Sequence, residues 1–177
     1  MRKLVSGFAS SLDGYIEGAA GEYDWITIDK EIDFNEQAKR YDAYFYGRRT
    51  YEALLNSNMP PVKGAVHYVF SKSLTEVAKG FILVKGDIKK EIKKIKEQEG
   101  KDIALFGGAS LLASLLELDL VDEFTISVIP VLLGKGKPMV NPLSKRSWLK
   151  LTDTRTYANG TVMLNYEVEK KVDGSES

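Results

Sequence analysis

Two glycine-marked turns carry the residue types best suited to phosphate binding: Gly47-Arg48-Arg49-Thr50 and Gly107-Gly108-Ala109-Ser110. Each turn follows a short apolar run and precedes a segment with helical spacing, so its backbone N–H groups would open a helix. Glycine lets a ligand approach the backbone, and arginine binds phosphate through two parallel hydrogen bonds. Neither turn has the spacing of a Walker loop or a Rossmann fingerprint. The pattern therefore predicts a nucleotide site of another kind.

Acidic side chains are the candidate proton-handling groups. Asp13 lies in a Ser-Leu-Asp-Gly turn, and Glu31 and Asp33 follow Trp25 near the start of a predicted helix. A buried carboxylate could hold an amino-heterocycle and assist its protonation. The same positions also fit a turn aspartate and two acids stabilised by a helix dipole. Both interpretations stay open.

The chain has one histidine, His67, and no cysteine among its 177 residues. We expect a structural role for His67, and its isolation argues against a transition-metal site. The 25 basic and 25 acidic side chains cancel, which argues against nucleic acid or a membrane as partner. The N-terminal residues lack the apolar length of a signal peptide, and no apolar run reaches the ~18 residues of a membrane span. We therefore expect a cytoplasmic protein.

Apolar runs bounded by turn residues predict eight strands, and Asn159-Gly160 predicts a tight hairpin between the last two. The predicted strands cover residues 4–9, 43–46, 66–70, 81–84, 103–106, 124–129, 148–157 and 161–169. Strands that alternate with helices and end in a hairpin predict one α/β domain over residues 1–169, with a mostly parallel mixed sheet and helices on both faces. Residues 170–177 are charged, and we expect them to be disordered.

Three polar residues are the predicted helix N-caps: Asp29, Thr50 and Asp87. Residues 10–21 and 134–138 are predicted as loops, because both segments are rich in glycine. Ligands of open parallel sheets bind at the carboxyl ends of the strands. The two glycine turns and the first loop would therefore meet at one edge of the sheet.

Several segments resemble known reductases. Gly47-Arg48-Arg49-Thr50-Tyr51-Glu52 resembles the Gly-Arg-x-Thr segment of dihydrofolate reductase, and Ser10-Ser11-Leu12-Asp13-Gly14 resembles a segment of the riboflavin-biosynthesis (RibD) reductase domain. Residues 107–110, 118–123 and 129–134, which read Gly-Gly-Ala-Ser, Leu-Asp-Leu-Val-Asp-Glu and Ile-Pro-Val-Leu-Leu-Gly, are similar to that same domain. The chain is thus identified as a member of the dihydrofolate-reductase-like superfamily, nearest to stand-alone relatives of the RibD C-terminal reductase domain. The resemblance implies a three-layer sandwich.

The resemblance also implies an NADPH site and assigns its residues by position. Arg48, Ser71 and Lys72 would meet the adenosine 2′-phosphate, while Arg49 and Thr50 would lie by the pyrophosphate. The other cofactor residues that it implies, along the pyrophosphate, ribose and nicotinamide, are Ala9, Leu12, Asp13, Gly14, Gly47, Phe106, Gly107, Gly108, Ala109 and Ser110. The carboxylate that folate enzymes carry on their first helix matches Glu31 best, with Asp33 and Asp13 as the other candidates.

The activity implied by the resemblance is hydride transfer from NADPH to a pteridine-like or aminopyrimidine substrate, as in 5-amino-6-(5-phosphoribosylamino)uracil reductase. The RibD domain usually has glutamate before its glycine pair, where this chain has Phe106, and this departure bears on the substrate. Two alternatives stay open: dihydrofolate reductase activity proper, and a non-catalytic NADPH-binding dimeric scaffold. We expect a homodimer, as in relatives that dimerise, formed through the apolar residues Val128, Ile129, Val131, Leu132 and Leu133 around Pro130.

Overall fold

An eight-stranded sheet is the framework of the structure, a computed structural model that describes residues 1–57 and 60–170. The strands are β1 (Leu4–Ser11), β2 (Tyr15–Gly18), β3 (Tyr41–Gly47), β4 (Val66–Phe70), β5 (Phe81–Val84), β6 (Asp102–Gly107), β7 (Glu123–Ile129), β8 (Gly136–Pro138), β9 (Leu149–Thr156) and β10 (Val162–Val168). The order in the large sheet is β5-β4-β3-β6-β1-β7-β10-β9, and β2 pairs with β8 in a separate sheet. The first six strands in this order are parallel, and β10 pairs antiparallel with both of its neighbours. The predicted mostly parallel mixed sheet with a C-terminal hairpin is therefore confirmed.

Helices pack on both faces of this sheet, as predicted. They are α1 (Phe34–Ala38), α2 (Arg48–Asn56), α3 (Ile88–Glu97) and α4 (Ala109–Glu117). Successive side chains of a strand point to opposite faces, so β3 sends Phe45 into one core and Tyr46 into another. Phe45 packs in a cluster with residues of α3 and α4, such as Ile92 and Leu115, whereas Tyr46 packs in a cluster with Tyr51 of α2.

Two of the three predicted N-caps were wrong. Asp29 does not cap a helix, because its carboxylate accepts hydrogen bonds from the backbone N–H groups of Glu31 and Asn159 instead. Helix α1 starts later, with Asp33 accepting from the N–H groups of its first turn. Thr50 lies inside α2, whose N-cap is Gly47. The third prediction is confirmed, since Asp87 accepts from the N–H of Lys90 at 3.1 Å.

The two predicted loops contain paired strands. Strand β1 continues to Ser11, and residues 15–18 form β2, which pairs with residues 136–138 of β8. The N–H of Met139 also donates to the carbonyl of Gly14 at 3.0 Å. The glycine-rich composition of these segments therefore did not predict β2 and β8, because each strand pairs with a partner that lies far away in the sequence.

The C-terminal hairpin has its turn at the predicted place. The N–H of Gly160 donates to the carbonyl of Tyr157, and the N–H of Tyr157 donates to the carbonyl of Thr161. Of the tail predicted to be disordered, Lys170 forms an ion pair with Asp122 at 2.6 Å, and residues 171–177 lie outside the described part of the chain. Among the residues that the structure describes, no helix has the length and apolar character needed to cross a bilayer.

Candidate functional site

The two glycine turns lie against each other at the carboxyl ends of neighbouring strands. Strand β3 ends at Gly47 and β6 ends at Gly107, and the two strands are parallel partners. A Cβ atom at Gly47 would lie 3.5 Å from the carbonyl oxygen of Gly107 and 3.5 Å from the nitrogen of Gly108. Gly107 also has a φ of 111°, a backbone conformation that side chains rarely adopt. The glycines thus let two helix N-termini approach closely.

These helix N-termini open into a cavity of about 350 Å³, which we call the cationic cavity. Its glycine N-caps offer no side chain to the first-turn N–H groups of α2 and α4, so those donors are available to an anion. Five cationic side chains line it: Arg48, Arg49, Lys72, Lys85 and Lys137. No acidic side chain lines it among the described residues. The donor set fits a ligand with several phosphate groups, as the phosphates of NADPH require.

Two of these cations form ion pairs with carboxylates that do not line the cavity. Arg48 lies 3.8 Å from Glu52 one turn along α2, and Lys137 lies 2.9 Å from Glu17 on β2. Burial acts to raise the pKa of Glu17, but hydrogen bonds from Lys137 and Tyr23 outweigh it, so the net pKa is below its usual value. The Lys137–Glu17 pair therefore joins β2 to β8 across the small sheet, and Lys137 itself lines the cationic cavity.

Nine of the predicted cofactor residues line the cationic cavity: Gly47, Arg48, Arg49, Thr50, Ser71, Lys72, Gly108, Ala109 and Ser110. Gly107 is the last residue of β6 and directly precedes Gly108 of this cavity. The hydroxyl oxygen of Ser71 already accepts from the N–H of Leu74 at 3.0 Å, so it shapes the turn after β4. Lys85 and Lys137 were missed, because neither lies in a segment that matches a phosphate-binding motif.

The remaining predicted cofactor residues lie elsewhere. Ala9 and Phe106 line a second cavity, described below, and Leu12 lines a third beside Met139. Asp13 is exposed, and its carboxylate accepts from the backbone N–H groups of Leu133 and Gly134 at 3.1 and 2.7 Å. A hydrogen bond from the Ser11 hydroxyl lowers the pKa of Asp13. Asp13 thus joins the end of β1 to the loop after Pro130.

The second cavity, of about 360 Å³, lies on the α1 side of the sheet, and we call it the apolar cavity. Its floor comes from β1, β6 and β7, including Gly7, Ala104 and Phe106, and its wall comes from residues 26–38. The polar lining groups include the hydroxyls of Thr125, Ser127 and Thr161. Phe106 lines the apolar cavity and Gly108 lines the cationic cavity, so the end of β6 separates the two.

The hairpin tip holds the wall of the apolar cavity. The buried carboxylate of Asp29 accepts from the N–H of Asn159 at 3.1 Å, and the Asn159 amide donates to the carbonyl of Thr27 at 3.3 Å. Arg155 adds an ion pair with Glu31 at 3.3 Å. The segment that follows β2 is therefore fixed by contacts with the other end of the chain.

The predicted catalytic carboxylates do not line the apolar cavity. The side chain of Glu31 is 57% exposed and paired with Arg155, and Asp33 caps α1. Asp29, which the sequence offered as a helix cap, is the buried carboxylate of this segment. The catalytic roles of Glu31 and Asp13 stay predictions.

His67 is buried, as expected for a structural residue. Its Nε2 donates to the carbonyl of Val62 at 3.0 Å, which leaves Nδ1 to accept from the Tyr46 hydroxyl at 3.1 Å. Its ring stacks on Tyr44 with centroids 5.4 Å apart. These contacts occupy both ring nitrogens and one face.

Comparison with known proteins identifies related chains. The family model described as "RibD C-terminal domain" matches residues 2–163. The uncharacterised protein YyaP of Bacillus subtilis is 36% identical, with 93% of this chain and 94% of that protein covered. The crystal structure of a putative riboflavin biosynthesis protein from Shewanella sp. PV-4 is 25% identical, with a TM-score of 0.84 over 95% of this chain and 99% of that one. Dihydrofolate reductase from Enterococcus faecalis, complexed with NADP(H), shares the fold at 14% identity, with a TM-score of 0.67 over 95% of this chain and 97% of that one.

Proposed function

We propose that this chain, which belongs to the RibD C-terminal domain family of reductases, transfers hydride from NADPH to a pteridine-like or aminopyrimidine substrate. The observation that carries the proposal is the pair of cavities on either side of the end of β6. One is cationic and opens onto two helix N-termini, and the other is apolar. A dinucleotide held in the first would bring its nicotinamide to the border of the second.

The residues of the cationic cavity would bind and orient the cofactor. Arg48 and Lys72 suit the adenosine 2′-phosphate, and the N–H groups that follow Gly47 and Gly108 suit the pyrophosphate. Bound NADPH would supply the hydride to the carbon of a ring C=N bond, while one proton from solvent adds to the nitrogen. Apolar groups such as Phe106 would exclude water from the reacting ring.

Calorimetric titration with NADPH and NADH tests the cofactor half of the proposal. We expect NADPH to bind at micromolar concentration or below and NADH to bind at least tenfold more weakly, because NADH lacks the 2′-phosphate. A dihydropterin added to the NADPH complex should then oxidise the cofactor. Absence of NADPH binding would contradict the proposal.

Dihydrofolate reduction proper receives less support. Among the described residues that line the apolar cavity, none is a carboxylate, whereas that reaction was expected to use Glu31. The glutamate tail of dihydrofolate is anionic, and no Lys or Arg is among the described residues that line the apolar cavity, so we expect dihydrofolate to be a poorer substrate than a dihydropterin without that tail. Steady-state kinetics with both compounds distinguish these possibilities.

We also propose that the protein is a homodimer. Exposed apolar side chains, including Leu12, Leu132 and Trp148 at 65%, 69% and 63% exposure, support a subunit interface. Ile129, in contrast, is buried in the monomer. Light scattering after gel filtration should give twice the chain mass, and a monomer at micromolar concentration would contradict this. The expected cytoplasmic location stays a prediction.

A further inference from the structure

The buried imidazole of His67 faces neither cavity, but its contacts lead to one of them. His67 is 3% exposed and lines neither the cationic cavity nor the apolar cavity. Two of its partners line the apolar cavity themselves, and a third packs against a residue that does. The imidazole is thus in a position to act on the shape of that cavity through other side chains.

The first contact anchors the segment that precedes β4. The Nε2 atom of His67 donates to the carbonyl of Val62 at 3.0 Å, and Val62 lines the apolar cavity. The same carbonyl accepts from the N–H of Ala65 at 3.3 Å, which closes a turn. Among the described residues, no other side chain hydrogen-bonds residues 60–65. His67 is therefore the side chain that fixes this turn against the sheet.

The second contact supports Tyr44, an almost fully buried residue that lines the apolar cavity. Tyr44 of β3 lies directly opposite His67 of β4, and their rings stack with planes 19° apart. In the order of the sheet, Tyr44 lies between His67 and the strands that form the cavity floor. Phe81 of β5 lies on the far side, 5.5 Å from the imidazole. Movement of Tyr44 away from the cavity is therefore opposed by His67 and by Phe81 behind it.

The third contact reaches the cavity through Tyr46. The Nδ1 atom of His67 accepts from the Tyr46 hydroxyl at 3.1 Å. Burial raises the pKa of Tyr46 well above its usual value, so this hydroxyl keeps its proton and stays a donor. The Tyr46 ring lies 5.6 Å from the ring of Phe106, which lines the apolar cavity beside the border. The hydrogen bond to His67 thus holds the ring that supports Phe106.

We propose that His67 is a positioning residue that sets the shape of the apolar cavity and thereby the affinity for the substrate ring. It acts directly through Val62 and Tyr44. It acts on Phe106 through the ring of Tyr46. This inference rests on the proposed function, because it takes the apolar cavity as the place of the substrate ring. It gives the single histidine of the chain a role in substrate affinity without contact with substrate or cofactor.

His67→Phe tests the two ring nitrogens, because phenylalanine keeps an aromatic ring against Tyr44 and Phe81 but has no hydrogen-bonding group. We expect the KM for 7,8-dihydroneopterin to rise about fivefold, with kcat and the Kd for NADPH within about twofold. The cofactor should be unaffected because none of Val62, Tyr44 and Tyr46 lines the cationic cavity. An unchanged KM in His67→Phe would overturn the inference.

His67→Gln is the conservative variant that should rescue this loss. Its amide nitrogen lies at about the distance of Nε2 along the side chain and can donate to the Val62 carbonyl. We expect the KM to return to within about twofold of the unchanged protein. A KM as high as that of His67→Phe would overturn the inference, because the hydrogen bond would then have no effect on the cavity.

Leu54→Ala separates positioning from a general loss of stability. Leu54 is buried in the same cluster as Tyr44 and Tyr46, but it lines neither the cationic nor the apolar cavity. Truncation of a buried leucine leaves a void, so we expect a fall in Tm at least as large as in His67→Phe. The KM should stay within about twofold. An equal rise in KM would show that KM follows stability, and the inference would be wrong.

Binding without turnover provides an independent readout. We would titrate 7,8-dihydroneopterin into the NADP⁺ complex, which has no hydride to donate, and expect its Kd to rise about fivefold in His67→Phe. An unchanged Kd would overturn the inference even where KM rises. Absence of NADPH binding to the unchanged protein would overturn the proposed function together with this inference. Normal turnover with an unaffected His67→Phe would overturn this inference alone.

Discussion

The cationic cavity and the apolar cavity share one border but present different surfaces to a ligand. The first presents five cationic side chains and two helix N-termini, whereas the second presents ring and aliphatic surfaces with isolated hydroxyls. Phe106 lines the apolar cavity and Gly108 lines the cationic cavity, so along the chain only Gly107 lies between the two environments. A surface suited to phosphate groups therefore adjoins a surface suited to an apolar ring at the end of β6.

This difference has a physical consequence for specificity. A phosphate is recognised by local groups, a turn and its flanking arginines, and tolerates variation elsewhere in the chain. An uncharged ring is recognised by the surface that several segments build together. We therefore expect substitutions in the cationic cavity to change cofactor affinity alone, and substitutions in the apolar cavity to change substrate affinity alone.

The largest effect is expected from removing the two cations assigned to the 2′-phosphate. The double variant Arg48→Ala, Lys72→Ala should weaken NADPH binding about 100-fold, because two charge-assisted hydrogen bonds are lost. NADH binding should change by less than threefold, since it lacks that phosphate. Calorimetry with both cofactors measures the two effects.

Lys79→Ala is the control for this pair, because Lys79 is exposed and does not line the cationic cavity. It should leave both affinities unchanged. Equal losses for NADPH and NADH in the double variant would show that the two cations act on the pyrophosphate, and the assignment to the 2′-phosphate would then be wrong.

A smaller effect is expected from Phe106, the residue next to the border. Phe106→Glu should raise the KM for a dihydropterin about tenfold, because a carboxylate replaces an apolar wall. The Kd for NADPH should stay within twofold, and Phe106→Leu should retain near-normal kinetics. If Phe106→Glu weakens NADPH instead, Phe106 belongs to the cofactor site, as the sequence predicted.

A third prediction concerns the link between the small sheet and the cationic cavity. Lys137→Met should weaken NADPH binding about threefold, since a half-exposed cation contributes modestly. The loss should shrink in high salt, where such contacts are screened. NADPH titrations at low and high ionic strength measure the loss of affinity and its salt dependence. A loss of affinity that does not depend on salt would indicate that Lys137 acts through the β2–β8 pairing instead.

The cationic cavity was largely predictable from the sequence, because its turns are local. Gly47 and Gly108 carry their signal within four residues and lie where the strands end. The apolar cavity was not, because its residues are brought together by pairing across the chain. Asp29 is an instance: its partner Asn159 lies 130 positions away, so the local pattern suggested only a helix cap. Thr161 carries no motif at all.

The smallest effect is expected from replacing Asp29, and its signature is a Tm difference that depends on pH. The N–H of Glu31 lowers the pKa of Asp29, burial opposes this, and the N–H of Asn159 adds to the lowering. The folded pKa therefore lies below the unfolded value of about 3.9. The ionised Asp29 carboxylate therefore stabilises the fold at a pH above its unfolded pKa. This stabilisation is lost as the pH falls through the folded pKa.

Asp29→Asn should accordingly lower Tm by about 3 °C at neutral pH, and the difference from the unchanged protein should shrink as the pH falls through the folded pKa of Asp29. Asp24→Asn, at an exposed carboxylate of the same segment, should show no such difference. Because Asp29 holds the wall of the apolar cavity, we expect its variant to raise the KM for a dihydropterin about twofold while NADPH binding stays unchanged. A pH-independent Tm difference would mean that the Asp29 charge has no part in holding the wall, and that only the shape of its side chain matters.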